Sequence, residues 1–288
     1  MSKITLENVS YIYSAHTPFE KKAVDSINVT FNQGVVTGLI GHTGSGKSTL
    51  VQLLNGLLQP TEGRILLDGV DIWEDPKNIT DVRFKVGLVM QYPEYQLFEE
   101  TVKKDIAYGP TNMKLEGEEI EKRVKEAAYF CGISDDLFEK SPFDLSGGQK
   151  RRVAIAGVMA MRPKVLILDE PAAGLDPVGR EEILGGIRSF QRETGTTVII
   201  VSHSMEDMAV YCDELIVMNK AKVYMTGKTK EVFAKSDMLT EVGLDVPQIT
   251  HLFKKIRGFG IDLPCDVFTV EDAKKAILAV LGKKEGKL

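Results

Sequence analysis

The stretch that most constrains this chain is Gly41-His42-Thr43-Gly44-Ser45-Gly46-Lys47-Ser48-Thr49. It directly follows the apolar run Val35-Val36-Thr37-Gly38-Leu39-Ile40 and directly precedes Leu50-Val51-Gln52-Leu53-Leu54. Apolar run, glycine-rich segment and helical pattern read in that order as strand, loop and helix, and the loop fits G-x-x-x-x-G-K-[ST], the phosphate-binding P-loop. Gly41, Gly44 and Gly46 open backbone conformations closed to residues with a Cβ, so successive N–H groups can turn inward around a phosphate. The helix that opens near Lys47 aims the positive end of its dipole at the same place. Gly41, Thr43, Gly44, Ser45 and Gly46 are therefore expected to form the cradle. Lys47 would reach the β- and γ-phosphates, Ser48 would ligate Mg²⁺ through its hydroxyl and Thr49 would bond the α-phosphate. An ordinary glycine-rich turn is the alternative, and it leaves the strand before and the helix after without a reason.

A chain of 288 residues has room for one large domain and a small one. Its formal net charge of −5 offers no basic footprint for a phosphate backbone, which argues against a nucleic-acid partner. The three cysteines, Cys131, Cys212 and Cys265, are odd in number, far apart and without C-x-x-C spacing. Neither a disulfide frame nor a zinc site is expected, and a reducing cytosol fits. The start of the chain lacks a basic segment followed by an apolar one, and no apolar run approaches the ~20 residues that span a bilayer. The chain is not expected to cross a membrane itself.

Strands are expected from Ile4 to Tyr13 and from Ala23 to Phe31, where apolar and polar residues alternate. Tyr11 and Tyr13 share one face of the first. Cross-strand packing accounts for either, and Tyr13 is the better candidate to stack on an adenine ring. Asp68-Gly69 between two short apolar runs marks a hairpin. Phe84 to Met90 reads as a buried strand ending at Gln91, after which helical periods dominate to about Arg162. Ile120, Val124, Ala127 and Cys131 recur at helical spacing until Gly132.

Leu145-Ser146-Gly147-Gly148-Gln149, followed by Lys150-Arg151-Arg152 and an alanine-rich helix to Met161, resembles the signature of ATP-binding cassette (ABC) ATPases. Its serine and glycines stand at a helix start, where an anion can be held. Val165-Leu166-Ile167-Leu168-Asp169-Glu170 is a hydrophobic strand that ends in two carboxylates. Asp169 would hold Mg²⁺, directly or through water, and Glu170 would act as general base toward the attacking water. Ala173-Gly174-Leu175-Asp176 resembles the D-loop of the same family. His203, after the apolar strand Thr197 to Ser202, resembles its switch histidine. His16, His42 and His251 lack such company and read as surface or structural.

The resemblance spans residues from about 13 to 203. It implies an α/β P-loop NTPase core with a mostly parallel sheet, an N-terminal antiparallel β-subdomain and an inserted α-helical subdomain at about 92–162. The cassette would occupy residues 1–235, and a small helical extension, a candidate dimerisation module, residues 236–288. Its cofactors would be ATP and Mg²⁺, the metal lying on Ser48, Gln91 and Asp169. Lys47, Gln91, Glu170 and His203 would be the catalytic group. In this family the site closes across a dimer, so Ser146, Gly147, Gly148, Gln149 and Asp176 would serve the nucleotide of a partner.

Gln91-Tyr92-Pro93-Glu94-Tyr95-Gln96-Leu97-Phe98-Glu99-Glu100-Thr101-Val102 looks like the glutamine loop of energy-coupling factor (ECF) transporter ATPases. Gly41 to Gly46 and Pro171 to Pro177 look like the second of the two ATPase types in those bacterial importers of vitamins and metal ions. The implied partners are a second ABC ATPase, with pairing to another copy left open, a transmembrane coupling subunit and a separate substrate-binding membrane component. The implied place is the cytoplasmic face of a prokaryotic cell membrane. Glu94 or Glu99 would meet an arginine of the coupling subunit. Near the end of the chain, Pro247 opens a helix with Ile249, Leu252, Phe253 and Ile256 in one apolar stripe, and Thr269-Val270-Glu271-Asp272 opens another with Ala273, Ile277, Val280 and Leu281 apolar. These would cover the cassette's own surface or meet the partner ATPase. Lys283 to Lys287 reads as a solvated end.

A soluble cassette ATPase that moves no solute is the competing class. Repair types carry a very long coiled coil before the signature and translation types carry two cassettes in one chain, and neither feature occurs here. A dead regulatory scaffold would be expected to lose Glu170, Lys47 or Ser146, and all three are present.

Overall fold

The computed structural model describes residues 3–261 and 263–285, with side chains as far as Leu281. The solvated end expected from Lys283 to Lys287 lies outside the described side chains. The described residues build two sheets. The chain opens with β1 (Ile4–Tyr13), β2 (Lys21–Phe31) and β3 (Val36–Gly41), then α1 (Lys47–Leu54) and the hairpin β4 (Glu62–Leu67) and β5 (Val70–Asp71). Next come α2 (Ile79–Lys85), β6 (Val86–Val89), α3 (Val102–Asn112), α4 (Gly117–Phe130), α5 (Gly147–Met159) and β7 (Val165–Asp169). They are followed by α6 (Pro177–Thr194), β8 (Thr197–Val201), α7 (Met205–Tyr211), β9 (Glu214–Asn219) and β10 (Lys222–Lys228). The last elements are α8 (Thr229–Phe233), α9 (Ser236–Glu241), α10 (Gln248–Gly258) and α11 (Val270–Glu285).

The antiparallel sheet has the order β2-β1-β4-β5 and the larger sheet the order β10-β9-β3-β8-β7-β6. In the larger sheet the strands from β9 to β6 run parallel and β10 joins the edge antiparallel. Every residue of β3, β7 and β8 is buried. That explains why these strands read as continuous apolar runs while β1 and β2 alternate: helices and a second sheet cover both faces. Alternate side chains nevertheless divide between two cores. Leu166, Leu168, Val198 and Ile200 pack with α3, α4, α5 and α6. Val165, Ile167, Ile199 and Val201 pack with α1 and the antiparallel sheet. Charge on one residue of β7 would therefore damage a different layer from charge on its neighbour.

Several bounds differ from the sequence reading, and β2 already begins at Lys21, before the expected Ala23. Phe84 and Lys85 close α2, and the strand begins at Val86, opposite Val165 of β7. β7 starts two residues after Pro163, and the Lys164 N–H still donates to the Lys85 carbonyl at 2.8 Å where α2 gives way to β6. The helix after the signature ends at Met159, not Met161, since Arg162 precedes Pro163 and takes φ 50; a proline disfavours the helical region for the residue before it. In α10 the stripe is narrower than expected. Phe253 is buried with Leu263, Val267 and Ala273, and Ile249, Ile256 and Val280 pack around them. Leu252 is 48% exposed and Leu281 53%. The two last helices thus share a small core of their own, and Phe268 approaches Phe233 of α8 with ring centroids 5.9 Å apart. Thr269 caps α11 by accepting a hydrogen bond from the Asp272 N–H at 3.1 Å.

Candidate ATPase site

In a parallel sheet, ligands sit beyond the carboxyl ends of the strands. Here the ends of β3, β8, β7 and β6, neighbours in the sheet, lead into the P-loop, His203, Asp169-Glu170 and Gln91. These segments are scattered over more than half of the chain, and the strand order gathers them around one cavity. It is lined by Tyr13, Thr43, Gly44, Gly46, Lys47, Ser48, Thr49, Gln91, Asp169, Glu170 and His203, together with Lys21, Ala23 and Val201.

Gly46 stands at the N-cap of α1 with φ 106, and no side chain caps the helix. A Cβ at Gly46 would collide with the carbonyl oxygen of Ala23. Only glycine keeps the loop against β2 while leaving the helix start facing the cavity. Lys47 Nζ donates to the carbonyls of Gly41 at 2.6 Å and His42 at 3.1 Å, which folds its side chain along the loop. Burial pulls its pKa down, against the attraction of Glu170 and Asp169. Ser45 Oγ, beneath the loop, is buried with no hydrogen-bond partner among the described residues.

Burial raises the Asp169 pKa, countered by Lys47 and by a hydrogen bond with Ser48. The Ser48 hydroxyl and Asp169 carboxylate therefore already meet, and with the Gln91 side-chain oxygen they form an all-oxygen donor set suited to a hard divalent cation. Glu170 sits at φ 53, its N–H bonded to the Val201 carbonyl at 2.9 Å. Burial and then the neighbouring Asp169 raise its pKa, opposed by the His203 N–H and the Ser202 hydroxyl. Its Oε1 is buried without a hydrogen bond and lies 3.6 Å from His203 Nε2. Burial and then Lys47 lower the His203 pKa, which favours a neutral imidazole near pH 7. A buried carboxylate with one unsatisfied oxygen beside a neutral imidazole is equipped to accept a proton from water.

Tyr13 projects from the end of β1 at the mouth of the cavity. Its hydroxyl is 3.3 Å from Thr49 Oγ1, and Tyr11 packs edge-to-face against its ring at a centroid distance of 4.8 Å. The two tyrosines share a face as expected, and the outer face of the Tyr13 ring is left for a base. Tyr13→Ala should weaken ATP binding by ~1–3 kcal/mol, the usual value of a base stacked on an aromatic ring. Tyr13→Phe, which loses only the Thr49 contact, should bind nearly as wild type. Equal ATP affinity of the alanine and phenylalanine variants in calorimetry would reduce Tyr13 to packing.

The signature occupies a second cavity, lined by Ser146, Gly148, Gln149, Gly174, Leu175 and Asp176 among others, and it shares no lining residue with the first. Ser146 Oγ accepts from the Gln149 N–H at 3.3 Å while Gln149 Oε1 accepts from the Ser146 N–H at 2.9 Å. This reciprocal cap leaves the Ser146 O–H free to donate outward. Gly147 and Gly148 form the first turn of α5 beside it. Asp176 caps α6 by accepting from the Gly179 N–H at 2.7 Å, a task that sequence reading did not give it.

Glu94, one of the two glutamates expected to meet an arginine of the coupling subunit, already has an arginine within the chain. It is paired with Arg151 of α5 and only 17% exposed, and Glu100 is paired with Lys104. Of the two glutamates considered for an outside partner, only Glu99 has no ion pair among the described residues. The sequence also did not point to Lys21 and Ala23. They reach the cavity because β2 pairs with β1, and the pairing of Tyr13 with Lys21 is a register no local motif displays.

A P-loop, a carboxylate pair with His203 beside it and a separate signature surface together define an ATPase of the cassette type. The ABC transporter family matches residues 24–173. The energy-coupling factor transporter ATP-binding protein EcfA2 of Clostridium acetobutylicum is 56% identical over 96% of this chain and 98% of that protein. Its counterpart of Clostridium perfringens is 54% identical with the same coverage. Among solved structures, cbiO1 from Clostridium perfringens, part of the ABC transporter complex cbiONQ, has a TM-score of 0.74 and 44% identity, covering 87% of this chain and 98% of that one. The dimeric post-hydrolysis state of the ATP-binding cassette MJ0796 bound to ADP and Pi has a TM-score of 0.71 and 27% identity, covering 78% of this chain and 98% of that one. The chain belongs to the ABC transporter ATPases, and within them to the ATP-binding subunits of energy-coupling factor transporters. It is an ATP-driven component of transport. Among the described residues no helix is long and apolar enough to cross a membrane.

Proposed function

We propose that this chain binds and hydrolyses MgATP at the cytoplasmic face of a prokaryotic membrane, to power uptake of a vitamin or metal-ion micronutrient. The observation that carries the chemical part is the convergence of Lys47, Gln91, Asp169, Glu170 and His203 on one cavity, with the signature in another. The P-loop N–H groups and Lys47 hold the phosphates, and the buried Ser45 hydroxyl gains a partner when the loop closes on them. Ser48, Asp169 and Gln91 would hold Mg²⁺, which would supply positive charge to the phosphates. Glu170 orients the attacking water and takes its proton, and His203 steadies that geometry from the far side. Ser146, Gly147, Gly148, Gln149 and Asp176 complete the nucleotide site of a second cassette, which in the ECF arrangement is a different chain. The counterpart cassette dimer with ADP and Pi supports that reading by likeness.

The membrane partner is proposed to dock beside the glutamine loop. Tyr92, Tyr95, Phe98 and Tyr108 are 50%, 85%, 56% and 47% exposed there. Phe98 and Tyr108 flank a groove between α2, α3 and α5. Such an apolar surface suits a short helix of the coupling subunit, with Glu99 available to an arginine on it. The chain's place in a complex such as cbiONQ is supported by likeness to cbiO1. A separate membrane component would choose the solute. Glu99→Lys should weaken assembly by ~2–5 kcal/mol, as for truncation of a partly desolvated pair, without changing ATP affinity of the isolated chain. Unaltered assembly and uptake in the reversed variant would exclude Glu99 from the contact.

A further inference from the structure

A single buried guanidinium joins three segments around the nucleotide cavity. Arg151 lies in the second turn of α5, and its side chain is 5% exposed. Its Nε donates to Glu94 Oε2 at 3.1 Å and its Nη2 to Glu94 Oε1 at 2.8 Å, a two-pronged grip on one carboxylate. Its Nη1 donates to the backbone carbonyl of Ala173. Glu94 belongs to the short turn Pro93–Gln96 that follows Gln91. Ala173 belongs to the turn after Glu170, and its own N–H is bonded to the Glu170 carbonyl at 3.2 Å. The glutamine loop, the signature helix and the turn that leads to Asp176 therefore meet at one side chain.

Burial works to raise the Glu94 pKa, but hydrogen bonding to Arg151, a bond to its own backbone and the Arg151 charge together outweigh it and hold the pKa below its usual value. A pair of this kind adds little net stability compared with apolar side chains of the same volume, because both charges give up water. What it does supply is direction. The planar fork fixes its donors relative to one another, so it cannot follow Glu94 without moving its bond to Ala173. A lysine, with its donors on one rotating nitrogen, does not impose that constraint.

We infer that Arg151 is a positioning residue that makes the glutamine loop and the Asp176 turn move as one, so that nucleotide binding in this chain resets the surface it offers to the partner's nucleotide. The inference rests on the ATPase reading above, in which Gln91 responds to the nucleotide and Asp176 faces the partner.

Hydrogen exchange on the full chain, with and without MgATP, tests it. In the wild type, amides of 92–98 and of 172–176 should change protection together when nucleotide is added. The double variant Glu94→Gln/Arg151→Met leaves no unpaired buried charge and should fold with a Tm near wild type. In it ATP should bind with unchanged affinity, 92–98 should still respond, and the response at 172–176 should be lost. If the double variant melts early, Arg151→Lys carries the test, since it keeps the charge pair but not the fork, and the same loss is expected. A full response at 172–176 in a folded variant overturns the inference and leaves the ATPase reading intact. A wild-type chain that binds no ATP overturns both.

Discussion

Glu170→Gln is expected to bind ATP as the wild type does and to hydrolyse it ~10²–10⁴-fold more slowly, the usual scale for a lost general base. The amide keeps the size and hydrogen-bonding reach of the carboxylate, so the turn at φ 53 and the contacts from Ser202 and His203 should survive. What disappears is the capacity of the unsatisfied Oε1 to accept a proton from water. The measurement requires the assembled complex with the partner's site also disabled, so that turnover comes from this site alone. Near wild-type turnover there would remove Glu170 from the role and point to His203, 3.6 Å away, as the base.

Ser146→Arg should abolish hydrolysis on the partner's P-loop while leaving ATP affinity of the isolated chain intact. The loss should be at least ~10²-fold, the scale for removing one preorganised donor to a developing anion, with the arginine's bulk added. The two cavities share no lining residue, so a nucleotide held in the Lys47 cavity is not expected to depend on Ser146 of the same chain. Fluorescent ATP binding to the isolated variant, followed by turnover in a complex whose only intact P-loop is the partner's, separates the two effects. Weakened binding in the isolated chain would contradict a composite site.

The parts of this site that could be read in the sequence are those whose chemistry is local. Gly46 before Lys47 and Ser48, and Asp169-Glu170 after a run of four apolar residues, carry their geometry in their own neighbours, because a loop needing positive φ or a strand buried on both faces leaves a local pattern. The Asp68-Gly69 hairpin is legible for the same reason, with Asp68 at φ 55 and Gly69 at φ 87. The reading failed where a distant residue decides. Glu94 looks like a solvent-facing acid in an acidic loop, and it is mostly withdrawn from solvent because Arg151, 57 positions later, returns to it. Phe84 belongs by composition to the strand after it, yet it closes α2, and the ladder opens only where Val86 meets Val165 of β7. Lys21 enters the cavity through β-sheet register, and Leu252 loses its place in the stripe because the small core between α10 and α11 closes without it. Each depends on a contact between segments that no short window contains.

The central claim is that ATP hydrolysed between two cassettes drives a membrane transporter, and the composition and activity of the native complex test it most directly. The chain, tagged and recovered from detergent-solubilised membranes of its own cells, should carry a second cassette ATPase and integral membrane protein in fixed stoichiometry. That complex should hydrolyse MgATP, and Glu170→Gln in this chain should suppress the hydrolysis. A chain recovered alone or only with soluble proteins, hydrolysing ATP at the same rate with and without Glu170, would contradict the account.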